Sequence, residues 1–391
     1  MSVFFTSARS ISVLTAIRSI GRKGISIIAS DAYKNSISFY SKYCSQIFLY
    51  PFPQKEKMFI NSLYQMVKKA NSEVLFPGHD DTVQLITQHK EIFEEITKVP
   101  VPDIEVGIKA FDKYQTMLSA EEIGIPTPKT YYAENEKQLK KLSKDFVYPL
   151  VLKPNMQSKG YGAYGVTYVH SFDELTQAFS NINKEFENCL IQEYIPGDSK
   201  QMCMVNALFD KNSRPISVFT AKKYRTHPMM GGSTTFGEST WDPKLAELGL
   251  KLLKAWNWYG VAEIEFKIDP RDGEPKLMEV NPRFWTYIAL PIACGVDFPY
   301  LLYKVALEEN VAPVKKYKVG VKFVNPTTDP LVMLKIFAKS KNKMVTFGDL
   351  LLSYKGKKIY SLFSFDDPVP FFRKIMWNLS NFRLDTLRSR I

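Results

Sequence analysis

Two predicted strands near residue 270 carry acidic and amide side chains in an alternating pattern. The first strand spans Gly260 to Asp269 and the second spans Lys276 to Asn281, with the turn sequence Asp-Pro-Arg-Asp-Gly between them. This turn predicts an antiparallel hairpin. Alternation places two oxygen-bearing side chains on one face of each strand: Glu263 and Glu265, then Glu279 and Asn281. The two faces can meet across the hairpin, and such oxygen donors suit Mg²⁺; two amphipathic strands with solvated glutamates are the alternative.

A second group of residues could bind phosphate. Lys153 lies near the end of the apolar strand Leu150 to Pro154, and the glycine-rich segment Gln157 to Gly165 follows it. Backbone N–H groups of such a segment and a lysine ammonium can contact phosphates. The segment does not match G-x-x-x-x-G-K-[ST], so a P-loop is not predicted, and a glycine-rich hairpin without a ligand is the alternative.

A third candidate is the strand Leu190 to Ile195, which stops at the turn Pro196-Gly197. Free backbone groups at a strand edge could pair with the donor and acceptor edge of adenine, as another strand would. A plain strand end is the alternative interpretation.

In their order along the chain, these motifs closely resemble the ATP-grasp superfamily. The series is Asp112-Lys113, Leu152-Lys153-Pro154 with its glycine-rich loop, Gln192-Glu-Tyr-Ile195, Glu265, and Glu279-Val-Asn-Pro-Arg283. The resemblance covers roughly residues 3–299. Within the superfamily the chain looks most like the predicted carboxylate-amine ligases that include D-aspartate ligase. The motifs that carry this similarity are Gln192-Glu-Tyr-Ile-Pro-Gly197, Tyr224-Arg225 with Gly231-Gly-Ser233, Gly260-Val-Ala-Glu-Ile-Glu-Phe266 and Asn281-Pro-Arg-Phe-Trp285.

The resemblance implies a role for each matching residue. ATP phosphates would be bound by Lys113, Lys153 and a closing loop that includes Ser158, Gly160, Gly162 and Gly165. The adenine and its surroundings would be contacted by Gln192, Glu193, Tyr194 and Ile195. Mg²⁺, with Mn²⁺ as an alternative ion, would be held by Glu265, Glu279 and Asn281. The acyl phosphate would be stabilised by Arg283, and phosphate or substrate carboxylate would be contacted by Lys223 and Arg225, for which a solvated basic strand is the alternative.

The sequence departs from the superfamily pattern at the ribose contact. An acidic residue often lies four positions beyond the one held by Ile195, and here Ser199 occupies that place. Asp198 is the nearest acid, so we assign the ribose contact to it. The departure affects ribose recognition alone.

The function that the resemblance implies is ATP- and Mg²⁺-dependent ligation of a carboxylate to an amine. ADP would be released, and an acyl phosphate would be the intermediate. ATP-dependent carboxylation or carbamoyl-type activation, with bicarbonate as the acid, is one alternative. A non-catalytic nucleotide-binding module is another.

The resemblance and the strand and helix patterns together predict a mixed α/β and α+β protein. An ATP-grasp fold would follow a Rossmann-like parallel-sheet domain, without the G-x-G-x-x-G motif of dinucleotide sites. The predicted domains are 1–105 (Rossmann-like), 106–190 (small ATP-grasp subdomain), 191–312 (subdomain with the metal site) and 313–391 (basic extension). Asp80, in a His-Asp-Asp sequence after a predicted strand, is a further candidate for substrate contact.

The net charge of +12 is concentrated at one end of the chain. Residues 314–391 contain sixteen Lys/Arg and five Asp/Glu, so the body is nearly neutral. A nearly neutral body argues against nucleic-acid binding. The resemblance implies small-molecule or peptide partners, an acid and an amine, and a homo-oligomer is a further expectation. The four scattered cysteines and the absence of an export signal or an apolar run of spanning length predict a cytoplasmic location.

The last residues predict a basic amphipathic helix from Pro370 to Ile391. Phe371, Ile375, Leu379 and Phe382 recur at helical spacing among arginines and lysines. The first interpretation is a helix packed on the body. The alternative is contact with the inner membrane surface or with an anionic substrate carrier.

Overall fold

The computed structural model describes residues 1–155, 166–185, 189–229 and 231–380. In these residues the strands form three sheets. A parallel sheet comes first, a small antiparallel sheet follows, and a larger sheet carries the predicted acidic hairpin. This mixture of α/β and α+β layers confirms the predicted fold class.

The first hundred residues alternate strands with crossover helices. In chain order they form β1 (Ser2–Phe5), α1 (Ile11–Gly21), β2 (Ser26–Asp31), β3 (Cys44–Leu49), α2 (Glu56–Ala70), β4 (Val74–Phe76), α3 (Asp80–Gln88) and α4 (Lys90–Glu94). The strand order is β3-β2-β1-β4, and all neighbours are parallel. The alternation predicted this sheet but not β3. That edge strand is largely exposed, so its residues lack a clear pattern of buried positions.

The next segment leads from two helices into the small sheet. Its elements are α5 (Ile104–Phe111), α6 (Lys113–Ile123), β5 (Thr130–Ala133), α7 (Glu136–Leu142), β6 (Leu150–Pro154), β7 (Thr167–Val169), α8 (Phe172–Glu185) and β8 (Cys189–Glu193). The strands are antiparallel in the order β5-β8-β6-β7. Leu152, Phe179 and Ile191 belong to a hydrophobic core that the small sheet forms with its own helices. The small sheet is therefore a separately packed layer.

The large sheet begins after a short turn. Its elements are β9 (Met202–Phe209), β10 (Pro215–His227), β11 (Ser233–Thr240), α9 (Pro243–Ala255), β12 (Gly260–Ile268), β13 (Pro275–Asn281), α10 (Ala289–Cys294), α11 (Phe298–Ala306) and β14 (Lys322–Val324). The remaining elements are α12 (Asp329–Lys339), α13 (Lys343–Ser353), β15 (Lys358–Tyr360) and α14 (Val369–Ser380). The strand order is β13-β12-β9-β10-β11-β14-β15.

One glycine fixes the start of the acidic strand β12. Gly260 has φ +94°, and a Cβ atom there would lie 2.4 Å from the carbonyl oxygen of Pro100. Both the left-handed backbone and the close approach require glycine. Close behind it, Trp256 and Trp258 are fully buried in the core beneath β9 and β12. The hairpin is thus held by a rigid layer.

The C-terminal residues are part of the body. β14 pairs with β11, β15 pairs with β14, and the buried Arg18 of α1 donates to Asp367 at 2.8 Å. Phe371 of α14 packs against a small cluster that contains Leu14 and Leu362. These contacts agree with a packed C-terminal helix. The part of the predicted helix beyond Ser380, including Phe382, lies outside the described residues.

Candidate active site

The acidic hairpin that the sequence predicted is present, and its oxygen-bearing side chains lie opposite one another. Glu265 pairs with Glu279, and Glu263 pairs with Asn281. The Asn281 amide donates to Glu279 Oε1 at 3.0 Å and to Glu263 Oε2 at 3.3 Å. Four oxygen-bearing side chains therefore converge on one side of the large sheet.

A buried lysine from the neighbouring part of the sheet enters this cluster. Lys223 of β10 lies with its Nζ 2.6 Å from Glu265 Oε1, and both side chains are almost fully buried. Burial, together with the like charges of Glu279 and Glu263, raises the pKa of Glu265 to about 7 despite this ammonium. The negative charge of Glu263, Glu265 and Glu279 thus exceeds the one positive charge of Lys223.

The cluster fits a magnesium ion that completes its shell elsewhere. Within the described ranges, no three His, Cys, Asp or Glu side chains are arranged as a closed metal cage. Glu265, Glu279 and Asn281 nevertheless offer hard oxygen donors in a site with excess negative charge. Mg²⁺ is commonly held by one or two carboxylates with water and substrate phosphates. These residues therefore fit an open site but not a site made of protein ligands alone.

Two lysines from the small-sheet side face the acidic cluster. Lys113 begins α6, and Lys153 lies on β6 with its Nζ 2.9 Å from Gln192 Oε1. Burial and the neighbouring Lys113 ammonium lower the pKa of Lys153 to about 8. Burial also lowers the pKa of Lys113, against the opposing effect of Glu279. Two desolvated cations close together need an anion between them, as a polyphosphate would provide.

The end of β8 forms one wall of the same cavity. Gln192, Glu193, Tyr194 and Ile195 all line it. Lys267 donates to the carbonyl oxygens of Ile195, at 2.7 Å, and Gly197, at 3.0 Å. Tyr168 contacts the Tyr194 ring edge to face, with the ring centroids 5.6 Å apart. Aromatic and apolar groups around exposed backbone can accommodate a flat heterocycle.

The acids at this wall have protein partners. Asp198 lines the cavity, and its carboxylate accepts from the Lys200 backbone N–H at 2.7 Å. The Glu193 carboxylate pairs with Arg271 at 2.6 Å, so its side chain is engaged on the hairpin turn. The predicted loop residues Ser158, Gly160, Gly162 and Gly165 lie outside the described residues.

Arg283 connects the large sheet to the N-terminal domain. Its Nε donates to Asp80 Oδ1 at 2.5 Å, and its Nη2 lies 3.3 Å from Asn281 Oδ1. Although burial opposes the charge, Asp80 holds the pKa of Arg283 above its ordinary value. Burial alone would raise the pKa of Asp80, but Arg283 brings it below the usual range. Asp80, the further candidate for substrate contact, thus lies in the cavity as the partner of Arg283.

Arg225 is directed elsewhere. Its guanidinium makes two hydrogen bonds to the Asp329 carboxylate, at 2.8 and 2.7 Å, and stacks 4.0 Å from the Phe236 ring centroid. It is absent from the described cavity lining, where Lys223 is present. Alternation alone would place Lys223 and Arg225 on the same face of β10. The pairing of β10 with β11 shifts register between these two residues, and this bulge directs Arg225 away from the cavity. The expected contact of Arg225 with substrate is therefore corrected to a contact with α12.

The cavity between the small and large sheets brings most predicted residues together. Its volume is about 610 Å³, within the range of small-molecule sites. Sequence reasoning did not assign Lys267 or Tyr287, which also line it. Lys267 follows Glu263 and Glu265 at a spacing of two, so alternation along β12 could have placed it on the same face.

Comparison with known proteins gives the same architecture. Residues 110–287 match the family model described as ATP-grasp domain. Residues 110–287 form an ATP-grasp domain. D-aspartate ligase of Enterococcus faecium (strain Aus0004) is 25% identical over 252 residues, which are 59% of this chain and 58% of the relative. The chain thus spans somewhat over half the length of this relative.

Solved structures share the fold of most of the chain. Biotin carboxylase from Campylobacter jejuni superposes with a TM-score of 0.66 at 19% identity, covering 82% of this chain and 74% of that one. L-amino acid ligase from Bacillus licheniformis superposes with a TM-score of 0.61 at 15% identity, covering 80% and 77%. At these identities the likeness concerns the fold. In the described part of the chain, no helix has the length and apolar character needed to cross a membrane.

Proposed function

We propose that the protein is an ATP- and Mg²⁺-dependent ligase that joins a carboxylic acid to an amine and releases ADP and phosphate. One observation carries the proposal: the paired Glu265 and Glu279 face Lys113 and Lys153 across one cavity, which Arg283 also lines. Acidic metal ligands opposite buried cations are what a nucleotide triphosphate with its metal requires. The similarity to D-aspartate ligase supports an amino acid as the donor and a small molecule or peptide as the acceptor.

The nucleotide would lie along the small sheet. We assign the adenine to the wall of Tyr194 and Ile195, the ribose to Asp198, and the phosphates to Lys113 and Lys153. In this pose the adenine contacts the N–H group of Ile195. Lys267 can therefore keep its hydrogen bond to the Ile195 carbonyl oxygen. Gln192 orients Lys153 through their 2.9 Å hydrogen bond. The glycine-rich segment of residues 158–165 is assigned to the phosphates on the resemblance alone.

The metal site would lie between the phosphates and the acidic hairpin. Glu265, Glu279 and Asn281 would hold Mg²⁺, or Mn²⁺ in its place, and the ion would neutralise phosphate oxygens. Lys223 holds Glu265 in position and balances part of the acidic charge. Asp80 orients Arg283, which is directed toward Asn281 and hence toward the transferring phosphoryl group.

The chemistry follows from these positions. A substrate carboxylate oxygen attacks the γ-phosphorus of ATP, and ADP leaves with the bridging oxygen. The amine nitrogen then attacks the carbonyl carbon of the acyl phosphate, phosphate leaves, and the nitrogen loses a proton. Lys113, Lys153 and Arg283 stabilise the charge that develops on the phosphoryl oxygens, and this is the main contribution the protein can make. No nucleophilic Ser or Cys is required.

The test is nucleotide turnover with trapping of the activated acid. ADP and phosphate release would be measured with Mg-ATP across pooled carboxylic acids, with and without amines, and hydroxylamine would trap an acyl phosphate as a hydroxamate. The test variant is Glu279→Gln, which keeps the shape of the side chain but removes its charge. The matched control is Glu274→Gln, which makes the same change at an exposed carboxylate of the hairpin. We expect acid-dependent release that Glu279→Gln abolishes and Glu274→Gln retains.

Two results would replace the proposal. Turnover with bicarbonate in place of every organic acid would favour carboxylation, the chemistry of the biotin carboxylase that shares the fold. Mg-ATP binding without ADP release under any acid and amine would favour a nucleotide-binding module. Failure to bind Mg-ATP would refute the site assignment itself.

A further inference from the structure

The helices α12 and α13 present large apolar side chains to solvent. Met344 is 85% exposed, Leu352 is 65% exposed and Leu334 is 61% exposed. Four further residues of the pair are also more than two-fifths exposed: Leu331, Val345, Phe347 and Leu351. A cluster of this kind on one supersecondary unit is unusual for a protein surface and indicates contact with a partner.

The exposed residues follow helical spacing, so they form continuous stripes. Leu331 and Leu334 are three residues apart on α12, where Ala338 continues the exposed stripe. On α13, Met344 and Leu351 are seven residues apart, as are Val345 and Leu352. Residues at these spacings lie on one face of a helix. Each helix therefore has an apolar face directed to solvent.

The opposite face of the pair is what binds the body. Val332 is 1% exposed and Leu350 is 8% exposed. Asp329, the first residue of α12, is fully buried and accepts from Arg225 and Thr235. The anchoring contacts are thus complete without the exposed stripes, which leaves those stripes available to a partner.

The charge around the stripes restricts the partner. The two helices and the link between them, residues 329–353, contain four lysines and two aspartates, and one of the two aspartates, Asp329, is buried in its ion pair. Lys339 and Lys341 are exposed beside the junction of the two helices, and Asp349 is the exposed acid of this range. A second copy of the same surface would oppose lysines to lysines in a twofold contact. The surface therefore requires a partner that is apolar and anionic at once.

We propose that the α12–α13 face is a docking surface for an anionic lipid bilayer. Apolar stripes flanked by lysines bind at the boundary between headgroups and acyl chains, where the side chains enter the apolar region and the ammonium groups remain among the phosphates. The lysines attract an anionic leaflet, and Met344, Leu334 and Leu352 insert. This inference does not depend on the proposed ligase activity.

The docking surface is connected to the cavity through one strand. α12 packs on β10 and β11, and β10 carries both Arg225, which binds α12, and Lys223, which enters the cavity. The protein would therefore lie on the bilayer with its cavity held at a fixed position relative to the surface. Small-molecule turnover needs no such contact, so the two properties can be measured separately.

Vesicle co-sedimentation of the full chain tests the proposal. Binding would be compared on vesicles of neutral phosphatidylcholine and on vesicles that also contain an anionic phospholipid, at low and at high salt. We expect binding that requires the anionic lipid, weakens with salt, and falls about tenfold or more in a variant carrying Leu334→Ser, Met344→Ser and Leu352→Ser.

The control separates this face from the C-terminal helix. Met376→Ser with Phe372→Ser removes two exposed apolar residues from α14, which is also basic, and we expect it to retain binding. Circular dichroism and Mg-ATP binding establish that each variant is folded. Absence of anionic vesicle binding, equal binding by the α12–α13 variant, or loss of self-association in that variant without any vesicle binding would each overturn the proposal.

Discussion

Replacing Arg225 by methionine should destabilise the protein without changing its affinity for Mg-ATP. The Arg225 guanidinium makes two hydrogen bonds to Asp329 and packs against the rings of Phe236 and Tyr354. Arg225 does not line the cavity. Its removal therefore affects the attachment of α12 to the large sheet, and methionine retains most of the apolar contact area.

The size of the effect follows from burial. Asp329 is fully buried, and without Arg225 its charge would retain the hydroxyl groups of Thr235 and Tyr354 as donors but would lose its cation. Breaking a buried ion pair on one side costs about 3–5 kcal/mol, because the remaining charge has no counterion. Adding Asp329→Asn removes that charge, so the double variant should lose less stability than the sum of the single variants, by about 1–3 kcal/mol.

The assay is urea unfolding followed by tryptophan fluorescence, with Mg-ATP binding measured by calorimetry below the transition. Arg214→Met is the matched control, since Arg214 forms an ion pair with Asp210 but is 71% exposed. We expect a loss of about 1 kcal/mol or less for this control.

Two outcomes would refute the reasoning on Arg225. The first is an Arg225→Met variant as stable as the Arg214→Met control. The second is a normally stable variant with lowered turnover, which would restore the role in substrate contact that the sequence suggested.

Three further predictions concern the cavity and its support. The pKa of Lys153 is about 8, and its protonated form attracts phosphate, so Mg-ATP affinity should fall about fourfold from pH 7 to pH 8.5. In calorimetric titrations, Lys153→Arg should abolish this pH dependence. Burial and like charges raise the pKa of Glu265 to about 7, and its ionised form is the metal ligand, so apparent Mg²⁺ affinity at saturating ATP should rise from pH 6 to pH 8. A flat profile, or one that Glu265→Gln preserves, would contradict this assignment. Gly260→Ala should cost at least about 2 kcal/mol of unfolding free energy, since alanine is strained at φ +94° and its Cβ would meet the Pro100 carbonyl. Gly273 also has a positive φ but has open space around it, so Gly273→Ala should cost less in the same urea assay.

The sequence predicted the acidic hairpin and the oxygen-bearing side chains that share a face of each strand. The turn chemistry after Asp269 and the alternation along each strand are local properties, so a few neighbouring residues determine them. The register shift beside Glu265, which brings this residue opposite Glu279, was not predicted. Order and spacing of the motifs then identified the domain that residues 110–287 form.

Other contacts depended on segments far apart in the sequence. The pairing of Arg283 with Asp80 joins residues 203 positions apart, and that of Arg225 with Asp329 joins residues 104 positions apart. Lys223 and Arg225 are two residues apart on one strand, and both are cations. Alternation would place them on the same face, yet Lys223 enters the cavity and Arg225 contacts α12. A register shift in β10 decides between them, and no local pattern in the sequence reveals such a shift.

The sequence by itself therefore determined which residue types could hold a metal and phosphates, because side-chain alternation and turn chemistry are set by a few neighbouring residues. Only the tertiary structure decided which charges are paired, how far burial moves their pKa values, and which apolar faces remain exposed. The physical reason is that desolvation and long-range ion pairing depend on every element packed around a group. The exposed face of α12 and α13 shows this most directly, since its residues have the same spacing as those of a helix buried in the core.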